Sequence, residues 1–326
     1  MKKIITILMV SVMVLTLFTF TGCKKEEPTL KLGLGVNITA SATDATADKE
    51  GQGKATTTVA AVLVDDEGKI VKAFIDCADN KVTYTTEGKA NANESFKTKY
   101  EAGANYNMVE YGGAAKEWFE QADAFCTLIV GKTAAEVKAL VAENGNGTDE
   151  VINAGCTIGI AEFANAVDKA ISNATASNAT KNDTLKLGVS TTQTTSDATE
   201  EKEGSNKVET NFFAAAVNAE GKVVAASSDC VEVTFKFDIT GKSSYDATKA
   251  VLSKKEKGDN YNMKAYGGSA KEWYEQAAAF DAACIGKTVS EIEGLAGTDG
   301  KGNADLQAAG CTIGISGFVK AASKIA

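Results

Sequence analysis

The chain reads as an α+β protein of two tandem modules, each an antiparallel sheet followed by amphipathic helices. Three observations predict this. The heptapeptide Ala154-Gly155-Cys156-Thr157-Ile158-Gly159-Ile160 returns letter for letter at 309–315. A longer block upstream of it, 106–133, recurs at 261–288 with the same offset of 155 residues, so spacing inside each copy is fixed. Within each copy the apolar residues follow short strand-like runs first and helical spacing later.

In chain order, Met1-Lys2-Lys3 precedes an apolar run over 4–20, and Thr21-Gly22-Cys23 follows. A short positive region, an apolar stretch and small residues at a cut site describe an export signal over 1–22. It resembles a bacterial lipoprotein signal, although Phe20 stands where leucine is usual. That resemblance implies lipidation of Cys23, a charged tether over 23–28, and a mature protein held on the extracytoplasmic face of the cell membrane. Module 1 spans 29–172 and module 2 spans 184–326, both opening on Thr-Leu-Lys-Leu-Gly. The segment 173–183 is polar, small and without period, which predicts a flexible linker.

Inside module 1, residues 59–64 and 70–75 flank Asp65-Asp66-Glu67-Gly68-Lys69, a β-hairpin with Gly68 at the positive-φ position; the copy turns at Gly221. A third strand is expected over 81–86 and over 231–237. The Ser/Thr/Ala-rich stretches 39–58 and 190–206 read only as low-complexity loop or edge strand. Trp118, Ala122, Phe125 and Ile129 recur at helical spacing, predicting a helix over 114–130, with Trp273, Ala277, Phe280 and Cys284 as its copy. Thr133 with Glu136, and Thr288 with Glu291, have the form of capping boxes that open a second short helix. Phe163, Val167, Ala170 and Ile171 mark a C-terminal helix, as do Phe318, Ala322 and Ile325.

Composition narrows the chemistry. The 326 residues carry a formal net charge of −9, which disfavours nucleic acid or anionic lipid as a partner. All cations are lysines, and there is neither histidine nor arginine. His-based metal sites, Ser-His and Cys-His nucleophile pairs and Arg clamps on phosphate are therefore excluded.

Three constellations remain. In the heptapeptide, Gly155, Cys156 and Thr157 precede a helix, as do Gly310, Cys311 and Thr312, which would place a hydroxyl beside helix N–H groups able to hold a phosphate. The bland alternative is a strand-to-helix turn with threonine as N-cap. The second constellation is Tyr111-Gly112-Gly113 before Lys116-Glu117-Trp118, repeated as Tyr266-Gly267-Gly268 before Lys271-Glu272-Trp273. A glycine pair beside tyrosine could stack a flat ligand. The tryptophans read as core anchors, and Lys116 with Glu117 as a solvated helix face. The third is six cysteines, Cys77, Cys126, Cys156, Cys230, Cys284 and Cys311, without a CxxC. Export permits a Cys77–Cys156 bridge with Cys230–Cys311 as its copy; buried thiols acting as small hydrophobes are the other reading.

The heptapeptide, with Gly112-Gly113, Trp118, Phe125 and Gly131-Lys132-Thr133 in order before it, resembles the FMN-binding domain of flavin-carrying subunits in Rnf and sodium-pumping NADH:quinone oxidoreductases. In that family a Ser/Thr-Gly-Ala-Thr motif precedes a C-terminal helix, and its last threonine can be joined to FMN through a phosphoester. The resemblance implies FMN at Thr157 and Thr312, a flavin transferase, a membrane redox donor, and an electron carrier more than a catalyst of its own reaction. Ala154 and Cys156 depart from the motif, as do Ala309 and Cys311. Two other functions fit the sequence: a non-redox ligand-binding lipoprotein, and a structural surface protein.

Overall fold

A computed structural model describes residues 28–93 and 95–325. The export signal 1–22, Cys23 and the tether up to residue 27 lie outside the described residues. Among those described, no helix is long and apolar enough to cross a membrane.

Module 1 begins with a meander of three strands, β1 (Lys31–Thr43), β2 (Gly51–Val64) and β3 (Ile70–Tyr84). The stretch 39–58 is strand on both sides of a turn, not a loop: Thr39, Ser41 and Thr43 pair with Thr56, Lys54 and Gln52. β-Branched threonines alternating with small residues suit a pleated surface, which apolar periodicity alone does not register. Residues 81–84 are likewise the far end of β3, not a separate strand. Helices follow: α1 (Lys99–Ala102), α2 (Trp118–Leu128), α3 (Ala134–Lys138), α4 (Asp149–Ala154) and α5 (Ala161–Ser172). Thr133 and Glu136 form the expected capping box.

Segment 173–183 is ordered, contrary to the flexible linker expected. It holds β4 (Thr175–Ala176), which pairs with Lys31 and Leu32 of β1, and its Ala179 is fully buried and accepts the Leu30 N–H at 2.7 Å. Small side chains let it lie flat against β1.

Module 2 repeats the plan with β5 (Thr184–Ser196), β6 (Gly204–Val217) and β7 (Val223–Phe237), then α6 (Lys254–Lys257), α7 (Trp273–Cys284), α8 (Val289–Glu293), α9 (Ala304–Ala308) and α10 (Ser316–Ser323). Residues 190–196 end β5, an edge strand as one of the two readings had it, 204–206 open β6 after a turn, and 231–237 are the far end of β7 and not a separate strand.

The two sheets stack face to face, and each module's helices cover its outer face, giving helix, sheet, sheet and helix layers. Alternation in the central strands builds this. Val59, Ala61 and Leu63 of β2 point into a core shared with Phe212, Ala214 and Ala216 of β6. Ala60, Val62 and Val64 point the other way, to α2 and α5, and Phe213 and Ala215 to α7 and α10. A strand buried on both faces needs a continuous apolar run, which both strands have.

The contacts between modules are reciprocal, as in a two-fold dimer. Lys169 pairs with Glu256 at 2.6 Å, and their repeat equivalents Lys324 and Glu101 pair at 2.6 Å. The equivalent rings of Tyr84 and Phe237 stack on one another with centroids 4.3 Å apart.

Asp76 and Asp229 tie the sheets to the helices. Asp76 accepts the N–H groups of Cys77 and Tyr100, and Asp229 those of Cys230 and Lys255. Burial outweighs these bonds and raises both carboxyls to about 6. A carboxyl raised on folding stabilises the native state below its unfolded value and loses that contribution as pH rises through its folded value. Each should therefore cost on the order of 2 kcal/mol between about pH 4 and pH 6. Asn at both positions keeps the acceptor oxygen and removes the charge. The double variant should show a flatter dependence of the urea midpoint on pH in that window; an unchanged dependence would assign the titration elsewhere.

Candidate functional site

The heptapeptide turn joins two helices, not a strand and a helix. α4 ends at Gly155, whose φ of 98° is a left-handed C-cap that a side chain would strain. Cys156 then drops its side chain into the module core, fully buried. Thr157 follows, exposed, with its N–H and its hydroxyl both donating to Gln121 Oε1 at 2.8 and 3.0 Å. The helix N-cap is Ile160, three residues later. Thr157 is therefore not the N-cap, and the Gly145 carbonyl takes the N–H groups of Ile160 and Ala161. The helix-terminus phosphate cradle expected from sequence is thus partly filled by backbone, because a loop ahead of α4 folds over it.

Module 2 reproduces the arrangement. Thr312 donates twice to Gln276 Oε1, at 2.8 and 2.9 Å, and the Gly300 carbonyl accepts the Ile315 N–H. Gly310 has φ 97°.

The Tyr-Gly-Gly loop meets this turn. Any Cβ on Gly155 would collide with Lys116 Nζ, and any on Gly310 with Lys271 Nζ, so a lysine from each loop rests on each turn. Lys271 Nζ also donates to the Ala309 carbonyl at 3.0 Å. Gln121 joins loop and turn, donating to the Lys116 carbonyl while accepting from Thr157. In module 2 the chain Ser269–Gln276–Thr312 does the same.

Both glycines of the loop are fixed by geometry. A Cβ on Gly112 would meet the Met108 carbonyl, and Gly113 has φ 66°. Glu117 caps α2, which starts at Trp118 and not at 114. Glu117 is buried, and its carboxylate accepts the N–H groups of Met108 and Val109, so it is a clasp for the loop and not part of a solvated face. Glu272 holds Met263 and Lys264 identically. The loop so held presents Tyr111 with 78% of its surface exposed, and Tyr266 with 88%. Trp118 and Trp273 are core anchors, set edge-on against Phe163 and Phe318.

Local sequence rules do not pair Gln121 with Thr157, nor set Lys116 on Gly155 and Glu117 under the loop. The signal that marks them is the string Lys-Glu-Trp-x-Glu-Gln, present in both modules.

All six cysteines among the described residues are free and buried, so the Cys77–Cys156 and Cys230–Cys311 bridges are not formed. Burial raises the thiols of Cys77, Cys156 and Cys311 to about 11, and Cys126, Cys230 and Cys284 further. Such thiols stay protonated near neutral pH and pack as small hydrophobes.

No family model, curated protein or solved structure matches this chain.

Proposed function

We propose that this is an extracytoplasmic lipoprotein, anchored through Cys23, that carries one flavin mononucleotide per module as an electron carrier. The observation that carries the reading is the duplicated presentation of an exposed threonine hydroxyl beside a lysine. The Thr157 hydroxyl is exposed, with its O–H turned to Gln121; an ester there would replace that O–H, the proton and the leaving group of the activated flavin nucleotide departing with the transferase. Lys116, whose ammonium lies against Gly155 two residues before Thr157, would supply the positive charge that a phosphate diester needs in a chain without arginine.

The residues present fit the group. Thr157 and Thr312 would hold the phosphate, Lys116 and Lys271 would offset its charge, and Tyr111 and Tyr266 offer exposed rings for stacking a flat isoalloxazine. FMN, when bound, supplies one- and two-electron transfer; the protein fixes its position and its access to partners. Those partners would be a flavin transferase and a membrane redox donor, with no role for nucleic acid.

The test is intact mass and colour of the full chain exported in a host that makes a flavin transferase. One FMN increment per module is expected, on the peptides containing Thr157 and Thr312. Thr157→Ala and Thr312→Ala should each remove one increment, and the double variant both. A colourless parent of unmodified mass would reject the reading.

A further inference from the structure

The two modules differ at one place that their shared fold makes easy to compare. In module 1, Phe74 of β3 packs on Tyr100 of α1 with ring centroids 4.8 Å apart, and Phe119 closes on Tyr100 at 6.0 Å. Cys126 lies beneath on α2. Asp76 and Asp229 make the same bonds in each module, which fixes the correspondence of β3 with β7. By that register module 2 has Ser227 for Phe74, Lys255 for Tyr100, Tyr274 for Phe119 and Asp281 for Cys126.

Without that aromatic pair the groove in module 2 opens to 570 Å³, bounded on its far side by β4 and residues 177–178. The equivalent groove of module 1, floored by Ala73, Cys126 and Val130, measures 340 Å³. Both volumes lie within the range of small-molecule sites, about 300–1,000 Å³, and the module 2 groove is the roomier.

Its charged groups are Asp281 and Lys255. Asp281 is 8% exposed, and Ser228 gives it two hydrogen bonds, from its N–H at 3.1 Å and from its hydroxyl. Lys255 Nζ donates to Ser227 Oγ at 3.1 Å. Burial pushes the Asp281 carboxyl up, and the Lys255 ammonium and the Ser228 bonds oppose that shift without, among the described residues, an ion pair joining lysine and carboxylate. A buried carboxylate without a cation in contact is costly, and a four-lone-pair acceptor with two bonds has capacity left. Leu32, Ala278, Ala282 and Ile285 supply its apolar wall, and Thr175, Ser177, Asn178 and Tyr274 add polar groups to its lining.

We propose that this groove binds a small apolar zwitterion, an α-amino acid or dipeptide free at both ends. Its ammonium pairs with Asp281, its carboxylate with Lys255, and its side chain lies on the alanines of α7. This site is separate from the Thr312 turn and does not depend on flavin.

Calorimetry of the full chain with the common L-amino acids and L-leucyl-L-leucine tests it. Saturable binding at one site per chain is expected for an apolar member of the set. N-acetylation and C-terminal amidation of that member should each weaken binding at least about tenfold, the loss of one charged contact. Grafting the whole module 1 plug, Ser227→Phe with Lys255→Tyr and Asp281→Cys, should abolish binding while keeping a cooperative thermal transition, because module 1 already packs that set of side chains on the same backbone. Asp281→Asn, a smaller change, should weaken binding without closing the groove. Absence of saturable binding up to about 10 mM across the set would overturn the proposal. So would binding that survives the graft.

Discussion

Gly33→Ala and Gly188→Ala should each destabilise the protein by about 3 kcal/mol or more, the upper end of what overpacking a well-filled core costs. α5 crosses β1 so closely that the Ala170 carbonyl rests on Gly33, and α10 crosses β5 with the Ala321 carbonyl on Gly188. A methyl at either place would come within 3.0 Å of a backbone oxygen. A flexible side chain could turn aside; a helix backbone cannot. The helix must lift, and the core holding Phe163 and Val167, or Phe318 and Ala322, opens with it. Gly68→Ala provides the contrast, since its φ of 76° is strained for alanine but nothing lies near the added carbon, so only about 1 kcal/mol is expected. Urea denaturation of the three variants decides the matter. Equal losses at Gly33 and Gly68 would reject close helix approach as the reason for the glycine.

Phe212→Ala should cost about 3–5 kcal/mol, and the remaining protein should still unfold in one transition. Phe212 is fully buried in the core between the sheets, where it meets residues of both modules. Its loss therefore weakens both modules together. The same geometry predicts the behaviour of module 1 expressed alone over 29–172. It would expose Leu34, Val59, Ala61 and Leu63 as one apolar face, and patches of that kind drive association. Sedimentation should find it dimeric or aggregated, with the pseudo-two-fold interface re-formed between copies. A monomeric, soluble module 1 would show that the shared core is dispensable.

The repeat made the module plan readable, and so did the hairpins and the amphipathic helices. Each rests on local rules: apolar period, turn residues and capping boxes act within a few residues of chain. The threonine strands of 39–58 were harder, because Thr and Ser, whether exposed in β1 or buried like Thr57 and Thr58 of β2, carry no hydrophobic alternation to detect. At the candidate site, the exposed Tyr111 and Tyr266 and the two threonines were visible as repeated strings. Their partners were not. Gln121 lies 36 residues before Thr157, and only the packing of α2 beside the turn brings its oxygen to that hydroxyl.

The amino-acid sequence alone thus determined two α+β copies, the strand-then-helix order in each, the exclusion of histidine and arginine chemistry, and the two threonine turns. Tertiary structure alone decided that the copies fuse through a common core, that the supposed linker is a sheet edge, that the threonine is held by a glutamine instead of capping a helix, and that the groove beside α7 is wider than its counterpart beside α2. The division has a physical cause. Periodicity and capping are properties of neighbours along the chain, whereas a second buried face, a long-range hydrogen bond and a cavity exist only once distant segments have packed.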